Sequence, residues 1–370
     1  MELVARKQDL LRELQLFQGI VERKNTIPIL ANVLLEAKGD RVGFLATDLE
    51  VGLRSACKAA VTTGGSLTVP AKKFYEIVKS LPETEIRVAE EKGGVRVAAD
   101  RFDSRIQTLP RDDFPTLPES GGSKSVTLPR LALREMVAKT QFAITGEDTR
   151  YFLNGALFVV RPDSMSLVAT DGHRLALVTV PRSATAGTEA EEDRPILPKK
   201  TLSELGRLVA EDDGDVEFTR SENHLFFKVG DRMLISRMID GQFPAYERVI
   251  PKGNDKHIEF ERDRLANALR RVALLSNERS RAVKFQIEKG KVDVTSSSPD
   301  VGEAHEMLPV DYSGSAMQIC FNAQYVLDFL SAVSTDVVSL DLKDEVSQVV
   351  VKPVGAEGYD YTYVIMPMRI

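Results

Sequence analysis

Two side chains that could act as an acid and a base lie close together in residues 169–175. Asp171 and His173 are two residues apart, on a predicted strand or turn. A hydrolase would also need a nucleophile, and neither a Gly-x-Ser-x-Gly elbow nor a reactive cysteine accompanies the pair. The sequence therefore predicts no catalytic residue, and we expect that the protein is not an enzyme.

The side chains that could bind a metal ion are scattered. The histidines show no ligand spacing with each other or with the cysteines, and these residues are His173, His224, His257, His305, Cys57 and Cys320. Both cysteines lie in apolar segments, which favours two buried small side chains over a disulfide. Residues 212–215 resemble a cation loop but lack the downstream Glu of a calcium hand, which favours a surface turn. We expect no metal and no cofactor.

Composition describes an ordinary globular protein. The 370 residues are 43% hydrophobic and 28% charged, with a net charge of −6. No apolar run is long enough to cross a membrane, and the N-terminus lacks the apolar core of a signal peptide. The sequence predicts a cytoplasmic protein with no membrane partner.

The stretch around Asp171 recurs on either side of it. Ala46-Thr47-Asp48 precedes Ala169-Thr170-Asp171 by 123 residues, and a weaker copy begins at Val294, 125 residues after Ala169. Two further landmarks recur in the same order, with 45, 46 and 45 residues between them; they begin at Pro70, Pro198 and Asn322 and at Pro115, Pro244 and Pro367. A period near 125 residues is the size of a domain. The chain is therefore predicted to hold three like domains, at residues 1–122, 123–252 and 253–370.

Each copy is predicted to contain two helices among antiparallel strands, an α+β fold. The helix patterns cover residues 6–16, 70–80, 130–140, 199–208, 261–275 and 323–332. The predicted strands include 27–35, 43–60, 153–160 and 166–180, and acidic residues 184–193 are expected to form a solvated loop.

Basic residues concentrate on the predicted helices. These segments carry 16 Lys and Arg against 8 Asp and Glu, although the chain as a whole is acidic. Lys and Arg are good helix formers on solvated faces, which is the simpler explanation for any one helix. The repetition favours a surface that meets a phosphate backbone in one confined place, and no base-reading motif accompanies it. We therefore expect any DNA contact to be independent of sequence.

Six segments together resemble the bacterial DNA polymerase III beta subunit family, the beta sliding clamps. They are residues 25–30 (Asn-Thr-Ile-Pro-Ile-Leu), 151–155, 169–175, 239–244, 274–278 and 366–370. The resemblance covers the whole chain. It implies three tandem clamp domains, a ring-shaped head-to-tail homodimer, and a processivity factor that encircles duplex DNA.

The resemblance also implies two sets of contact residues. The DNA-facing set is Arg23, Lys24, Lys72, Lys73, Lys79, Arg134, Lys139, Lys199, Lys200 and Arg207. The dimer interface would include Ile106, Leu109, Leu274 and Leu275. Ser104 and Arg105 depart from the family there, since an aromatic residue is common at this place. A monomeric protein-binding scaffold that does not encircle DNA is therefore the alternative interpretation.

A third implied site is an apolar pocket between the second and third domains, which takes a short peptide carrying Gln, Leu and a terminal aromatic residue or Leu. Its wall would be Leu153, Thr170, Gly172, His173, Arg174, Leu175, Pro244, Arg248, Val249, Asn322, Tyr325, Val346, Val364, Met366, Pro367, Met368 and Arg369. Ser280 stands where the best-known relatives have Phe, which would open one wall. The implied partners are the polymerase III alpha subunit, the clamp loader delta subunit, repair polymerases, ligase and mismatch repair proteins.

Overall fold

A computed structural model describes residues 1–21, 26–122, 124–146, 148–182, 192–211 and 213–369. The chain forms two compact units. Unit 1 contains residues 1–134 and 200–238, and unit 2 contains residues 135–199 and 239–370. Each unit thus draws strands from two of the three sequence copies.

The helices lie close to their predicted positions, two in each copy. They are α1 (Lys7–Phe17), α2 (Ala71–Ser80), α3 (Arg130–Thr140), α4 (Lys199–Ala210), α5 (Arg262–Ala273) and α6 (Ala323–Ala332). Short 3-10 helices cover Pro28–Ala31, Arg111–Asp113, Gln141–Ala143, Tyr151–Leu153 and Tyr246–Arg248.

The strands are short and antiparallel, and they account for most of the remaining ordered chain. The first half contains β1 (Glu2–Arg6), β2 (Asn32–Lys38), β3 (Arg41–Thr47), β4 (Val51–Lys58), β5 (Ala60–Thr63), β6 (Gly65–Pro70), β7 (Glu85–Glu91), β8 (Gly94–Ala99), β9 (Phe102–Gln107), β10 (Ser125–Leu128), β11 (Gly155–Val160), β12 (Ser164–Thr170) and β13 (Arg174–Pro181). The second half contains β14 (Ile196–Pro198), β15 (Val216–Ser221), β16 (His224–Val229), β17 (Arg232–Arg237), β18 (Lys256–Glu261), β19 (Ala282–Glu288), β20 (Lys291–Ser298), β21 (Gly302–Pro309), β22 (Met317–Asn322), β23 (Val337–Leu342), β24 (Val349–Pro353) and β25 (Asp360–Ile365).

Unit 1 contains two sheets. Its five-stranded sheet has the order β5-β1-β7-β8-β9, and its eight-stranded sheet has the order β10-β15-β16-β17-β4-β3-β2-β6. The second sheet crosses from one sequence copy into the next at β17 and β4, where Leu234 lies opposite Leu53. Because backbone hydrogen bonds continue across this join, the first copy completes its sheet with strands from the second.

Unit 2 repeats the arrangement. Its eight-stranded sheet has the order β14-β11-β12-β13-β25-β24-β23-β18, and its four-stranded sheet has the order β21-β20-β19-β22. The join between copies lies at β13 and β25, where Ala176 is opposite Tyr363. The second copy therefore completes its sheet with strands from the third.

Helix burial follows the apolar periodicity. In α1, Leu10, Leu14 and Phe17 are buried, and the Phe17 ring lies 6.0 Å from the Phe44 ring of β3. In α5, Leu265, Leu269 and Val272 recur at helical spacing and are buried where the helix packs on β20 and β21. These stripes fix which face of each helix stays available for other contacts.

Three strand predictions were wrong in part. The predicted strands over 43–60 and 166–180 are each split by a tight turn, and the predicted strand over 27–35 begins as the 3-10 helix Pro28–Ala31. In the first turn Leu49 has a φ of 78°, and in the second Gly172 has a φ of 87°. Alternating apolar residues continue through the turns, so the pattern hides a reversal that local hydrogen bonds determine.

Both cysteines are buried and free, and burial raises the pKa of the Cys57 thiol to about 12. No group of three or more His, Cys, Asp or Glu side chains is placed to hold a metal ion in the part of the chain that the structure describes. Within the same residues, no helix is both long and apolar enough to cross a bilayer.

One buried ion pair ties the two sequence copies of unit 1 together. Arg232 of β17 donates from Nε and Nη2 to the Glu13 carboxylate of α1, at 3.0 and 2.6 Å. The two side chains are only 5% and 7% exposed. A paired charge in such a place is costly to leave alone, because the remaining partner stays buried.

We expect Glu13→Ala to lower the free energy of unfolding by about 3–5 kcal/mol, since Arg232 would lose its buried counter-charge. Urea denaturation would measure the change. Arg41→Ala removes an ion pair with Asp231 whose partners are both well exposed, and it should cost less than about 1 kcal/mol. Equal losses of unfolding free energy in the two variants would contradict the conclusion that the buried Glu13–Arg232 ion pair stabilises unit 1.

Candidate functional site

The turn between β12 and β13 is built by its own side chains. Thr170 Oγ1 donates to the Arg174 carbonyl at 2.7 Å and accepts from the Gly172 amide at 3.1 Å. The Asp171 carboxylate accepts from the amides of His173 and Arg174, each at 2.9 Å. These contacts satisfy backbone groups that the reversal removes from the sheet.

The turn between β3 and β4 has the same construction. Thr47 Oγ1 donates to the Val51 carbonyl at 3.0 Å, and the Asp48 carboxylate accepts from the amides of Glu50 and Val51 at 2.9 and 2.7 Å. Leu49 takes the place of Gly172, with the same left-handed backbone. The sequence repeat is therefore a repeated turn, one in each unit.

The Asp171 and His173 side chains do not form an acid/base pair. Asp171 is fully used by the turn and by Arg174 Nε at 3.1 Å. His173 is exposed, and its carbonyl accepts from the Met366 amide at 2.8 Å. The constellation that suggested acid/base chemistry is a structural turn.

A small apolar pocket lies beside this turn in unit 2. Its volume is about 200 Å³, and it is lined by Arg150, Leu153, Thr170, Gly172, His173, Arg174, Leu175, Pro244, Tyr246, Val249, Val364 and Met366. Ten of these residues were predicted from the sequence. Arg150 and Tyr246 were missed, although Tyr246 follows the recurrent Phe-Pro pair by two residues, as Leu117 does in the first copy. Aliphatic walls with few polar groups suit a short apolar peptide segment.

The other predicted pocket residues do not line this pocket. Asn322 caps the N-terminus of α6 by accepting from the Gln324 amide at 2.9 Å, and Tyr325 lies on the same helix. Arg248 is exposed, in the 3-10 helix Tyr246–Arg248, and Val346 is exposed before β24. Neither of the last two belongs to the pocket wall.

The C-terminal residues bridge two cavities. The Met366 amide bonds to the turn at His173, and the Met368 amide bonds to the Cys320 carbonyl of β22 at 2.8 Å. Pro367 lies between these anchors and is half-buried. Met368 and Arg369 line a second cavity of about 1000 Å³ over the four-stranded sheet, and Ser280 lies in the same wall. A ligand that leaves the apolar pocket over this tail would meet a larger, more polar groove.

The predicted DNA-facing side chains differ in exposure and in whether their charges are paired. Lys72, Lys73, Lys79 and Arg134 are exposed, although Lys73 pairs with Glu76 at 2.9 Å. Arg207 is exposed and pairs with Glu204 at 3.0 Å, and the Lys199 ammonium donates to the Ile144 carbonyl at 3.0 Å. Arg23 and Lys24 lie outside the described residues.

Two residues of the predicted DNA-facing set, Lys139 and Lys200, form ion pairs and other contacts within the protein. The Lys139 side chain is only 5% exposed, pairs with Glu135 at 2.8 Å and lies 4.5 Å from the Tyr359 ring centre. The Lys200 ammonium pairs with Asp48 and donates to the Ile20 carbonyl. Phosphate contact would compete with these bonds, which makes Lys139 and Lys200 weaker candidates than the exposed cations.

The predicted interface residues lie near open sheet edges. Ile106 belongs to β9, the edge strand of the five-stranded sheet, and Leu109 follows it with its carbonyl held by Thr68 Oγ1 at 2.7 Å. Leu274 follows α5 and is 78% exposed, while Leu275 beside it is half-buried. An exposed leucine next to an unpaired strand marks a surface suited to association.

Comparison with known protein families covers the chain from end to end. Residues 1–118 match the N-terminal domain of the DNA polymerase III beta subunit, residues 127–245 match its central domain, and residues 247–369 match its C-terminal domain. The chain belongs to this family. The predicted α+β fold of three tandem sliding-clamp domains is thereby confirmed, while the boundaries at 122 and 252 stay predictions.

Individual members of the family are similar over their whole length. The beta sliding clamp of Pseudomonas putida is 39% identical over 375 residues, and that of Escherichia coli K12 is 36% identical over 374 residues; each match covers 100% of both chains. The crystal structure of the Pseudomonas aeruginosa sliding clamp bound to griselimycin superposes with a TM-score of 0.93 at 37% identity, again over 100% of both chains. The Caulobacter crescentus clamp superposes with a TM-score of 0.91 at 36% identity and the same coverage.

Substitutions at the matching left-handed positions of the two turns should affect stability differently. Gly172→Ala should lower the free energy of unfolding by about 1–2 kcal/mol, because alanine is strained at this φ. Its Cβ would also lie 3.3 Å from the Arg150 guanidinium. Leu49→Gly, at the matching position of unit 1, should cause no loss. Urea denaturation measures both, and an unchanged stability of Gly172→Ala would mean that this turn is not held in its left-handed form.

Proposed function

We propose that this chain closes into a ring with a second copy, encircles duplex DNA without reading its sequence, and tethers a DNA polymerase through the pocket in unit 2. The observation that supports ring closure is the repeated sheet join. Sheets continue between copies at β17–β4 and at β13–β25, while β9 and β21 each pair with one strand among the described residues. A third join between β21 and the partner's β9 would use the same geometry.

The two existing joins fix the register of the third. In unit 1, Leu53 faces Leu234 and Gly52 faces Ile235. Counted across the strands from the landmark pairs Asn32–Pro70 and Ala282–Asn322, the pairings inside the copies place Ala304 in the position of Leu53. Counted from the hairpin turns before β9 and β17, they place Ser104 in the position of Leu234. Glu303 would then face the partner's Arg105, and His305 would face the partner's Asp103. Opposite charges directly across an antiparallel pair stabilise it.

This register gives Arg105 a function. Arg105 departs from the family pattern, and its side chain is 60% exposed, with Glu91 3.8 Å away. Two copies of the Glu303–Arg105 contact would form, because a twofold dimer makes each interface contact twice. Leu274, Leu275, Ile106 and Leu109 would supply apolar area beside it.

We predict that Arg105→Glu weakens dimerisation at least tenfold, that Glu303→Arg does the same, and that the double charge swap restores the dimer. Sedimentation measures assembly. Retention after loading with a clamp loader and a high-salt wash measures encirclement, comparing nicked circular DNA with the same DNA linearised. Wild type and the double swap should stay on the circle and leave the linear DNA.

Arg101→Glu is the matched control, because Arg101 is exposed in the turn before β9 and outside the proposed register. A double swap that fails to restore the dimer would overturn the register. A dimer that is lost equally from circular and linear DNA would overturn encirclement, and a wild-type chain that stays monomeric would favour the scaffold that does not encircle DNA.

The DNA contact that we propose uses the exposed cations. Lys72, Lys73 and Lys79 of α2, Arg134 of α3, and Arg207 of α4 keep their charges at the surface, and Arg23 and Lys24 remain candidates from the family resemblance. Contacts of long flexible side chains with phosphate carry no sequence information. Such contacts exchange readily, which permits sliding.

The pocket would take a short peptide with a Gln, a Leu and a terminal aromatic residue. We propose the polymerase III alpha subunit, the clamp loader delta subunit, and repair polymerases, ligase and mismatch repair proteins as bearers of such peptides. The support is the apolar wall together with the tail that runs past it. A non-catalytic role in the cytoplasm belongs to the same proposal.

Replacing Met368 and Arg369 together by Ala should weaken binding of a Gln-Leu-Phe type peptide at least tenfold, because both side chains border the path out of the pocket. Calorimetry measures the affinity. The dimer should be unaffected, which sedimentation would check. Unchanged peptide affinity would refute the assignment of the tail to this site.

A further inference from the structure

Arg174 is the most heavily bonded side chain at the pocket. Its Nε donates to Asp171, its Nη1 to Asp328 of α6, and its Nη2 to the Phe142 carbonyl. The side chain is 10% exposed. All three nitrogens are therefore used within the protein.

Two aromatic rings also contact the guanidinium. Its carbon lies 4.4 Å from the Tyr325 ring centre and 5.3 Å from the Phe142 ring centre. Burial opposes its charge, but the neighbouring Tyr363, Asp328 and Asp171 raise its pKa overall. Cation–aromatic contacts of this kind favour a fixed, charged arginine.

These contacts make Arg174 a brace between the turn and α6. It ends the turn whose Thr170, Gly172 and His173 line the pocket, and it reaches across to Asp328. Neither Asp328 nor Tyr325 lines the pocket. The wall of the pocket is thus held from behind by α6, none of whose residues line the cavity.

Unit 1 contains the same parts with a different cation. Its turn carboxylate, Asp48, is bound by Lys200 of α4, which also donates to the Ile20 carbonyl. The residue of α4 that matches Asp328 is Glu204; each lies six residues after the recurrent landmark at Pro198 or Asn322. Glu204 pairs with Arg207 of its own helix at 3.0 Å. In both units a cation connects the turn to a helix. In unit 1 the cation, Lys200, belongs to the helix, whereas in unit 2 the cation, Arg174, belongs to the turn.

Helix α6 is also the exception in charge. It contains no Lys or Arg, whereas α2, α3 and α4 contain three each and α5 contains four. A helix without Lys or Arg supplies no side-chain cation for phosphate contacts. Its one charged residue, Asp328, is turned to Arg174.

We propose that α6 supports the peptide pocket instead of contacting DNA, and that Asp328 is a positioning residue that holds the pocket wall through Arg174. The inference rests on the proposed peptide function of the pocket. Without Asp328, one side of a nearly buried guanidinium loses its counter-charge. The guanidinium would then turn toward water, and the pocket beside the turn is the nearest opening.

The test measures the affinity of a fluorescent Gln-Leu-Phe type peptide for the full-length chain. Asp328→Asn keeps the shape of the side chain and removes its charge, and it should weaken binding at least tenfold. Asp328→Glu should recover most of the affinity. Arg174→Ala combined with Asp328→Asn should be no weaker than Arg174→Ala alone, because the two residues act through one contact.

Two controls separate positioning from general damage. Glu204→Gln alters the matching helix position in unit 1 and should leave peptide affinity unchanged whatever it does to stability. The side-chain Nε–H resonance of Arg174, protected in the wild type, should exchange faster with water in Asp328→Asn. Retention of Asp328→Asn on circular DNA should equal that of the wild type.

Three results would overturn the inference: unchanged peptide affinity in Asp328→Asn, an equal loss in Glu204→Gln, or loss of DNA retention in Asp328→Asn with peptide binding intact. A wild-type chain that fails to bind the peptide would instead overturn the proposed function of the pocket. The two failures are therefore distinguishable.

Discussion

The open edge of an antiparallel sheet is the constraint on which this structure depends. Each copy ends its sheet at a strand whose backbone groups need a partner, and the next copy along the chain provides it. The joins at β17–β4 and β13–β25 satisfy two such edges inside the chain. Among the described residues, β9 and β21 occupy the matching places but form no such join. Unpaired edges are liabilities in water, which favours association at these two strands. We therefore expect a second chain to supply the third join.

The same repeat explains why a pocket forms where it does. Both units contain the Thr-Asp turn with matching hydrogen bonds, but the residues around it differ. In unit 1, Leu117 packs against Gly52, so that a Cβ at that position would lie 2.9 Å from a Leu117 methyl. In unit 2, Leu175 stands at the matching position and Tyr246 replaces Leu117, and a pocket of about 200 Å³ lies beside them. The backbone is the same in the two units, but different side chains fill the space beside the turn in unit 1 and leave a pocket in unit 2.

The sequence predicted the repeat and the helices because both depend on local signals. Helical periodicity placed all six helices to within a few residues, and the repeat correctly paired the Asp48 segment with the Asp171 segment. The reversals inside the two predicted strands were missed, because Leu49, Val51 and Leu53 alternate as they would in a continuous strand. Hydrophobic alternation carries no information about a residue with positive φ.

Other failures depended on contacts between distant segments. Periodicity places Lys139 on a helix, but it does not reveal that Tyr359, more than two hundred residues later, covers its ammonium group. Arg174 was predicted to line the pocket, and its bonds to Asp328 and Phe142 could not be read from spacing. Tyr246 could have been found, since the recurrent Phe-Pro pair aligns it with Leu117.

The distribution of charge indicates that this chain attracts DNA only weakly. Several cations of the helices are partly neutralised by neighbours on the same helix, as Lys73 is by Glu76 and Arg207 by Glu204. Lys139 and Lys200 are bound within the protein, α6 has no cations, and the net charge is −6. Each phosphate neutralised strengthens binding and its salt dependence, so strong binding would oppose movement along the duplex. A sliding protein that is retained by closure needs only enough positive charge to keep DNA centred. The internal ion pairs therefore suit a clamp better than a surface of free cations would.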